Sequence, residues 1–329
     1  MATPGPLYSG PSMQHILRGV EDANWQSKLA IIGHRGCGKN ITTGASEGDL
    51  RPSIMENTVL SFNMAARHGA DFVEFDVQVT KDGHPIIFHD DFIVVKENNC
   101  MVHKRIGDLT LEEFLEMGYQ KDLPKAENGL YRRSRDGSYS AWTVSVDDSL
   151  CTLKDVFENV SPVVGFDIEL KFDDYNAVSH QELKRSIDAV LKVVNGYCNG
   201  RKIFFSSFHP DAVLMLRQEQ SLHPVLFLTD GVPEIYPDYR RGSLAAAMEV
   251  CLTGNLQGIV SEVKAILQHP EVVQQFKAAG LALLTYGDLN NVGEIFHLQA
   301  SLGVDGLVVD HVLEMVVESL KDDAIDTLT

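Results

Sequence analysis

Glu74, Asp76, Gln78 and Thr80 alternate with Val73, Phe75, Val77 and Val79, and no other segment restricts the fold as much. Strand side chains point alternately to opposite faces, so this spacing predicts a strand, Phe72–Thr80, with one polar and one apolar face. Asp82-Gly83 is a two-residue turn signal, and Pro85–His89 reads as a returning antiparallel strand. With Asp82 and Gly83 as the loop, Asp76 falls opposite His89. A half-exposed hairpin with a solvated face would show the same alternation. The pattern recurs, however, at Phe166–Lys171, where Asp167, Glu169 and Lys171 share one face and Phe166, Ile168 and Leu170 the other.

That second segment belongs to a longer candidate, Val163–Lys171; the others are Leu29–His34, Lys202–Phe208, Val225–Thr229, Gly258–Val263, Leu281–Gly287 and Gly306–Asp310. Helix-period stretches separate most of them. Thr58–His68 is one, with Asn57 as N-cap and Gly69 as stop. Pro210–Gln220, Ser243–Leu252, Lys264–Ala279 and Asn291–Leu302 are the others. Strands alternating with crossover helices imply a parallel sheet. The link Lys81–His84 is too short for a crossover, which makes Pro85–His89 an antiparallel hairpin arm. The eight strands left point to a closed (β/α)8 TIM barrel, a fold that 329 residues accommodate with insertions. A doubly wound open sheet would need a glycine-rich phosphate loop after its first strand, and His34-Arg35-Gly36-Cys37-Gly38 does not match one.

Residues 1–28 read as a leader, helical around Gln14–Val20, residues 29–320 as the barrel, and residues 321–329 as a tail. Residues 91–161 interrupt the rhythm as an insertion after the His89-Asp90 strand. It carries a helix at Leu111–Met117, with Thr110 and Glu113 in capping-box spacing, and a helix at Leu150–Val160 leading back. Its polar stretch 120–148, with Tyr131-Arg132-Arg133-Ser134-Arg135, reads as a mobile surface segment or as a lid over the barrel mouth.

A formal net charge of −18 opposes binding to nucleic acid or to an anionic membrane. No apolar run reaches the ~18 residues of a membrane span, and the first residues lack the pattern of a signal peptide. Five scattered cysteines, with no Cys-x-x-Cys pair, read as free thiols of a reducing compartment, the cytosol or alternatively a plastid.

In a barrel the apolar strand faces pack against the outer helices, so the charged faces point inward. Buried charges cost several kcal/mol each unless paired or coordinated. His34, Arg35, Glu74, Asp76, His89, Glu169 and Lys171 therefore make sense near the C-terminal mouth, where barrel active sites sit. A lone histidine at a strand end is more often structural, but glycines beside His34 let backbone and ligand approach closely. Glu74, Asp76 and Glu169 would repel one another without a cation, and hard oxygen ligands favour magnesium or calcium. Arg35 and Lys171 suit a phosphate, and the two imidazoles suit proton transfer. Together they describe a phosphodiester-cleaving site.

His34-Arg35-Gly36, Glu56-Asn57-Thr58, Glu74-x-Asp76, Thr80-Lys81-Asp82-Gly83, His89-Asp90 and Glu169-Leu170-Lys171 resemble, in order and spacing, the motif series of the glycerophosphodiester phosphodiesterases. Ser206-Ser207-Phe208, Asp305-Gly306 and the insertion are similar to features of that family, and the details resemble its soluble, plant-type members. The resemblance implies a metal-dependent barrel hydrolase that takes a small glycerophosphodiester to sn-glycerol 3-phosphate and an alcohol. It implies Glu74, Asp76 and Glu169 as ligands of one divalent cation, His34 and His89 as the acid–base pair, and Arg35 and Lys171 on the phosphate. Glu56 would orient Arg35 or the metal shell, with Asn57 beside it as a supporting residue or only a cap. Tyr286 stands where many members carry tryptophan, which bears on the fit of the glycerol or alcohol group. His34, next to Arg35, is expected as the base, and His89, near the metal carboxylates, as a protonated acid. Another barrel lipid phosphodiesterase, of phospholipase C or D type, and a non-catalytic barrel that binds a phosphometabolite remain as alternatives.

Overall fold

In a computed structural model of the chain, residues 8–18, 29–42, 53–97, 100–118, 129–133, 137–173, 177–232 and 238–326 are described. Fourteen strands occur among them, in chain order. They are β1 Ala30–Gly33, β2 Ile41–Thr42, β3 Phe72–Val79, β4 Pro85–Ile87, β5 Phe92–Glu97, β6 Cys100–Arg105 and β7 Leu130–Arg133. The series continues with β8 Tyr139–Thr143, β9 Gly165–Leu170, β10 Ile203–Ser207, β11 Val225–Thr229, β12 Gly258–Glu262, β13 Ala282–Tyr286 and β14 Gly306–Val309. All nine strands read from the sequence are present. Eight of them form a parallel ring in the order β1-β14-β13-β12-β11-β10-β9-β3, closed by pairing of β3 with β1.

The apolar faces meet the outer helices: Phe75, Val77, Phe166 and Ile168 pack in one core with Phe62, Ile187 and Val213. Inside the ring the lower layers are apolar too, built from Ala30, Ile32, Phe72, Phe204, Leu226, Val260 and Leu284. The helix Met13–Arg18 buries Met13, Ile16 and Leu17 against that interior cluster, so this part of the expected leader closes the floor of the barrel. The last helix, Val312–Asp326, crosses the boundary drawn at residue 320.

Four local expectations need correction. β4 does pair antiparallel with β3, but Val77 faces Ile87, Gln78 faces Ile86 and Val79 faces Pro85. The loop is therefore Lys81–Gly83, three residues instead of two, and Asp76 aligns with Phe88, whose N–H donates to the Asp76 carbonyl at 2.9 Å. A two-residue type I′ turn needs positive φ at both positions. Gly83 has it, at +87°, and Asp82 does not. Asp82 instead accepts the Thr80 hydroxyl at 2.6 Å and the Leu111 N–H at 3.1 Å, which ties it into a longer loop. Second, the helix Val59–Arg67 is capped by Thr58, not Asn57. Third, the stretch Lys264–Ala279 is two helices, Val263–Gln268 and Val272–Ala278, broken at Pro270, whose ring cannot continue a helix.

The fourth concerns the insertion. The stretch 120–148, expected as a mobile surface segment or a lid, carries β7 and β8 among its described residues, and these join β2, β5 and β6 in a five-stranded sheet ordered β2-β8-β7-β5-β6; residues 120–128 of it lie outside the described residues. Ile86 and Phe88 of the arm, with Ile93, Ile106, Phe114, Leu130 and Leu150, give that sheet its own apolar core. Ser134 and Arg135 lie outside the described residues.

Candidate active site

The turn after β1 delivers two of the site residues. His34 donates its N–H to the Val309 carbonyl, and Gly36 closes the turn onto Gly33. Arg35 is held at φ +48°, a left-handed backbone that costs a non-glycine residue ~1–2 kcal/mol. Its N–H donates to Glu74 Oε2 at 2.8 Å, which offsets part of that strain. Gly36, at φ +91°, lies where a Cβ would sit 2.4 Å from Ser61 Oγ. The glycine here serves the approach of the turn to the helix Val59–Arg67. Gly36→Ala is expected to lower stability by more than ~1 kcal/mol in urea unfolding.

β3 and β9 supply the carboxylates. Glu74, Asp76 and Glu169 are buried and each presents an oxygen, all within 4.8 Å of one another. Glu74 Oε1 is buried without a hydrogen-bond partner, the condition of an oxygen left for a cation. Burial, then Asp76, Glu169 and Asp167, push the Glu74 carboxyl well above its ordinary range, and burial is also the main reason Glu169 is raised. Asp76 behaves differently. Burial works against its charge, but His89, Lys171 and Arg35 together hold it below the usual carboxylate range. The set is all oxygen and partly repulsive, and it fits one hard divalent cation.

Cationic side chains surround this triad. Arg35 Nη1 donates to Glu56 Oε1 at 2.8 Å, and its Nε lies 3.5 Å from Asp76 Oδ2. Lys171 Nζ is 2.9 Å from Glu169 Oε1 and 3.6 Å from Asp76 Oδ1. Asn57, at φ +58°, donates its amide to Asp76 Oδ2 at 2.8 Å, so it supports the triad and caps no helix. Glu56 stands outside the triad. Its oxygens accept from Arg35, from the Asn40 N–H at 2.6 Å and from Arg132 Nη2 at 2.7 Å.

Each imidazole has a carboxylate on Nδ1. His34 is 2.8 Å from Asp310 Oδ1, and His89 is 2.6 Å from Asp90 Oδ1. Burial opposes the charge on both aspartates, but their histidines and Lys39 or Arg132 hold them below the usual range. A carboxylate only accepts, so each Nδ1 carries the hydrogen and Nε2 is left for chemistry. His89 itself departs from expectation. Burial first, then Arg35 and Lys171, push it down to about 4, against the opposite pull of Asp76 and Asp90. These surroundings favour the neutral ring, where sequence reasoning expects a protonated one.

His34, Arg35, Glu74, Asp76, His89, Glu169, Lys171 and Tyr286 all line one open cavity of about 600 Å³ at the C-terminal mouth. His89 lies beyond the end of β4 and reaches the cavity despite the shifted register. Across from the triad, Tyr286 donates its hydroxyl to Asp230 Oδ1 at 2.6 Å and meets Phe208 edge-on at 5.9 Å. Sequence reasoning missed the orienting roles of Asp90 and Asp310, although both stand at strand ends it had read. It gave no role to Arg132.

Residues 34–314 match the Glycerophosphoryl diester phosphodiesterase family. The chain belongs to that family. Glycerophosphodiester phosphodiesterase GDPD2 of Arabidopsis thaliana is 49% identical over 293 residues, covering 89% of this chain and 78% of that protein. Glycerophosphodiester phosphodiesterase GDPD1, chloroplastic, of the same plant is 47% identical over 298 residues, covering 90% and 81%. This family member is thus of plant type. The crystal structure of a glycerophosphodiester phosphodiesterase from Thermotoga maritima superposes with a TM-score of 0.57 at 24% identity, over 88% of this chain and 98% of that one, in agreement with the barrel. Among the described residues no helix is long and apolar enough to cross a membrane.

Proposed function

We propose that this protein hydrolyses glycerophosphodiesters, such as glycerophosphocholine or glycerophosphoethanolamine, to sn-glycerol 3-phosphate and an alcohol, with one divalent cation and two histidines. Hydrolysis of glycerophosphodiesters follows from the family and from the activity that names the plant relatives. The finer reading is carried by one observation: two imidazoles, each with a carboxylate on Nδ1, share a cavity with two cationic side chains and a three-carboxylate cluster. Glu74, Asp76 and Glu169 would hold magnesium or calcium, which supplies positive charge for the oxygens of the reacting phosphoryl group. Arg35 and Lys171 bind and orient the same group from the protein side, with Glu56 fixing the Arg35 guanidinium.

The proton work is divided, because one group cannot remove a proton on one side of phosphorus and deliver one on the other in a single step. His89, neutral among Arg35 and Lys171, is in the state of a base, and His34 then supplies the proton to the leaving alkoxide. This reverses the order expected from the sequence. The oxygen that loses its proton to His89 belongs to water or to the glycerol 2-hydroxyl.

Purified protein assayed with magnesium or calcium on glycerophosphocholine, -ethanolamine, -inositol and -glycerol, beside intact phosphatidylcholine, tests the reading. Release of sn-glycerol 3-phosphate from the deacylated diesters is the expected result. Turnover of the intact phospholipid alone would favour a phospholipase instead, and binding without turnover a metabolite-binding barrel. Five free cysteines suit a reducing compartment, and we place the protein in the cytosol or, like the relative named chloroplastic, in a plastid. Recovery of the tagged protein from secretory vesicles would exclude both.

A further inference from the structure

Arg132 belongs to the insertion, on β7, yet its guanidinium reaches the barrel mouth. Nη2 and Nη1 donate to Glu56 Oε1 and Oε2 at 2.7 and 3.3 Å, and Nε donates to Asp90 Oδ2 at 2.9 Å. The side chain is only 18% exposed, and its guanidinium carbon lies 5.2 Å from the ring centroid of Trp142 on β8, which stacks on Phe88 of the hairpin arm. Glu56, 1% exposed, is the carboxylate that also holds Arg35, and Asp90 is the carboxylate on His89 Nδ1. One guanidinium therefore joins the partner of the phosphate-binding arginine to the partner of a reacting imidazole.

We propose that Arg132 is a positioning residue that sets Arg35 and His89 together, through Glu56 and Asp90, and so makes the insertion sheet a working part of the active site. The proposal rests on the roles given above to Arg35 and His89. Three points of geometry carry it. Glu56 accepts from both guanidiniums, so Arg132 fixes the carboxylate that in turn fixes Arg35 Nη1. Asp90 is gripped through Oδ2 while Oδ1 takes His89 Nδ1, which fixes the direction in which it holds the imidazole. And the fork of Arg132 spans both carboxylates at once, which the single ammonium of lysine cannot reproduce.

Displacing a reacting group by about 1 Å costs on the order of 10²-fold in rate. Arg132→Met, which keeps an apolar stem beside Trp142, is expected to lower kcat/KM on glycerophosphocholine by about that factor. The loss should be split, with a higher KM from Arg35 and a lower kcat from His89. Arg132→Lys, which keeps the charge but loses the fork, should recover less than about a tenth of wild-type kcat/KM. In an Asp90→Asn background, Arg132→Met should cost much less in kcat than it does alone, because the link to His89 is already cut. Docking of the sheet is followed independently by Trp142 emission in a Trp25→Phe protein, where it is the sole indole. Unchanged emission with the split loss supports positioning. Should Arg132→Met shift the emission, Arg132→Lys is the deciding variant.

Full rescue by lysine, equal losses in the wild-type and Asp90→Asn backgrounds, or Arg132→Met within threefold of wild type would each overturn the proposal while leaving the wild-type activity in place. A wild-type protein inactive on every glycerophosphodiester would instead remove the functional reading beneath it.

Discussion

Glu74→Gln, Asp76→Asn and Glu169→Gln should each abolish turnover that depends on a divalent cation, and exhaustive chelation of the wild-type protein should do the same. In the metal-free protein, burial and mutual repulsion already disfavour the charge on Glu74 and Glu169. Removing one of those charges therefore relieves the cluster, and the thermal midpoint in EDTA should stay level or rise for Glu74→Gln and Glu169→Gln. Asp76 is the exception, because His89, Lys171, Arg35 and Asn57 stabilise its carboxylate. Asp76→Asn leaves Lys171 and Arg35 without that carboxylate and should lower the midpoint. Titrating magnesium or calcium into the wild type should raise stability by roughly 2.7 kcal/mol at a hundredfold excess over Kd. That increment should vanish in all three variants. The stability measurement separates a metal cluster from structural carboxylates without reference to activity. Retention of the increment in Glu74→Gln would mean that the cation sits elsewhere, and full activity in EDTA would remove it from the reaction.

The barrel was legible because its signal is local. Alternation marks the charged strands, apolar runs mark the others, and Val225–Thr229 was read to its limits. What was not legible depends on partners distant in sequence. The register of the hairpin is set by Asp82, whose carboxylate bonds the Leu111 N–H 29 residues away, and Asp-Gly as a dipeptide carries no trace of that bond. Asn57 looked like a cap because it precedes a helix, but its amide goes to Asp76, 19 residues on. Arg132 finds Asp90 and Glu56 across 42 and 76 residues, through a sheet whose short strands pair out of chain order. Two misses had signals present. Pro270 marks the break in Val263–Ala278, and the helix His180–Tyr197, not singled out, carries Leu183, Ile187, Val190, Leu191 and Val194 at helical spacing. For the site, the residue types pointed to the chemistry, and only the fold could say which charges face His89.

Those charges determine the second large effect. A histidine acting as general acid or base contributes typically on the order of 10²–10⁴ in rate, so His34→Ala and His89→Ala should both be crippled on glycerophosphocholine. The two losses differ in kind. The choline alkoxide is a poor leaving group and needs a proton as the P–O bond breaks. An aryl ester of glycerol 3-phosphate, such as the 4-nitrophenyl ester, leaves as a stable phenolate and needs almost none. The variant that lacks the acid should regain much of its rate on the aryl ester, and the variant that lacks the base should not, because the attacking oxygen must be deprotonated in either case. With His89 kept neutral by burial and by Arg35 and Lys171, the rescued variant should be His34→Ala. Asp310→Asn, which removes the partner of His34 Nδ1, should be rescued in the same way, and Asp90→Asn should not. Rescue of His89→Ala alone would restore the order expected from the sequence. It would also mean that the bound substrate reverses the field around His89, its anionic phosphate offsetting Arg35 and Lys171 until the imidazolium is the favoured form. Equal rescue of both variants would show that neither proton transfer is tied to one side of the phosphorus.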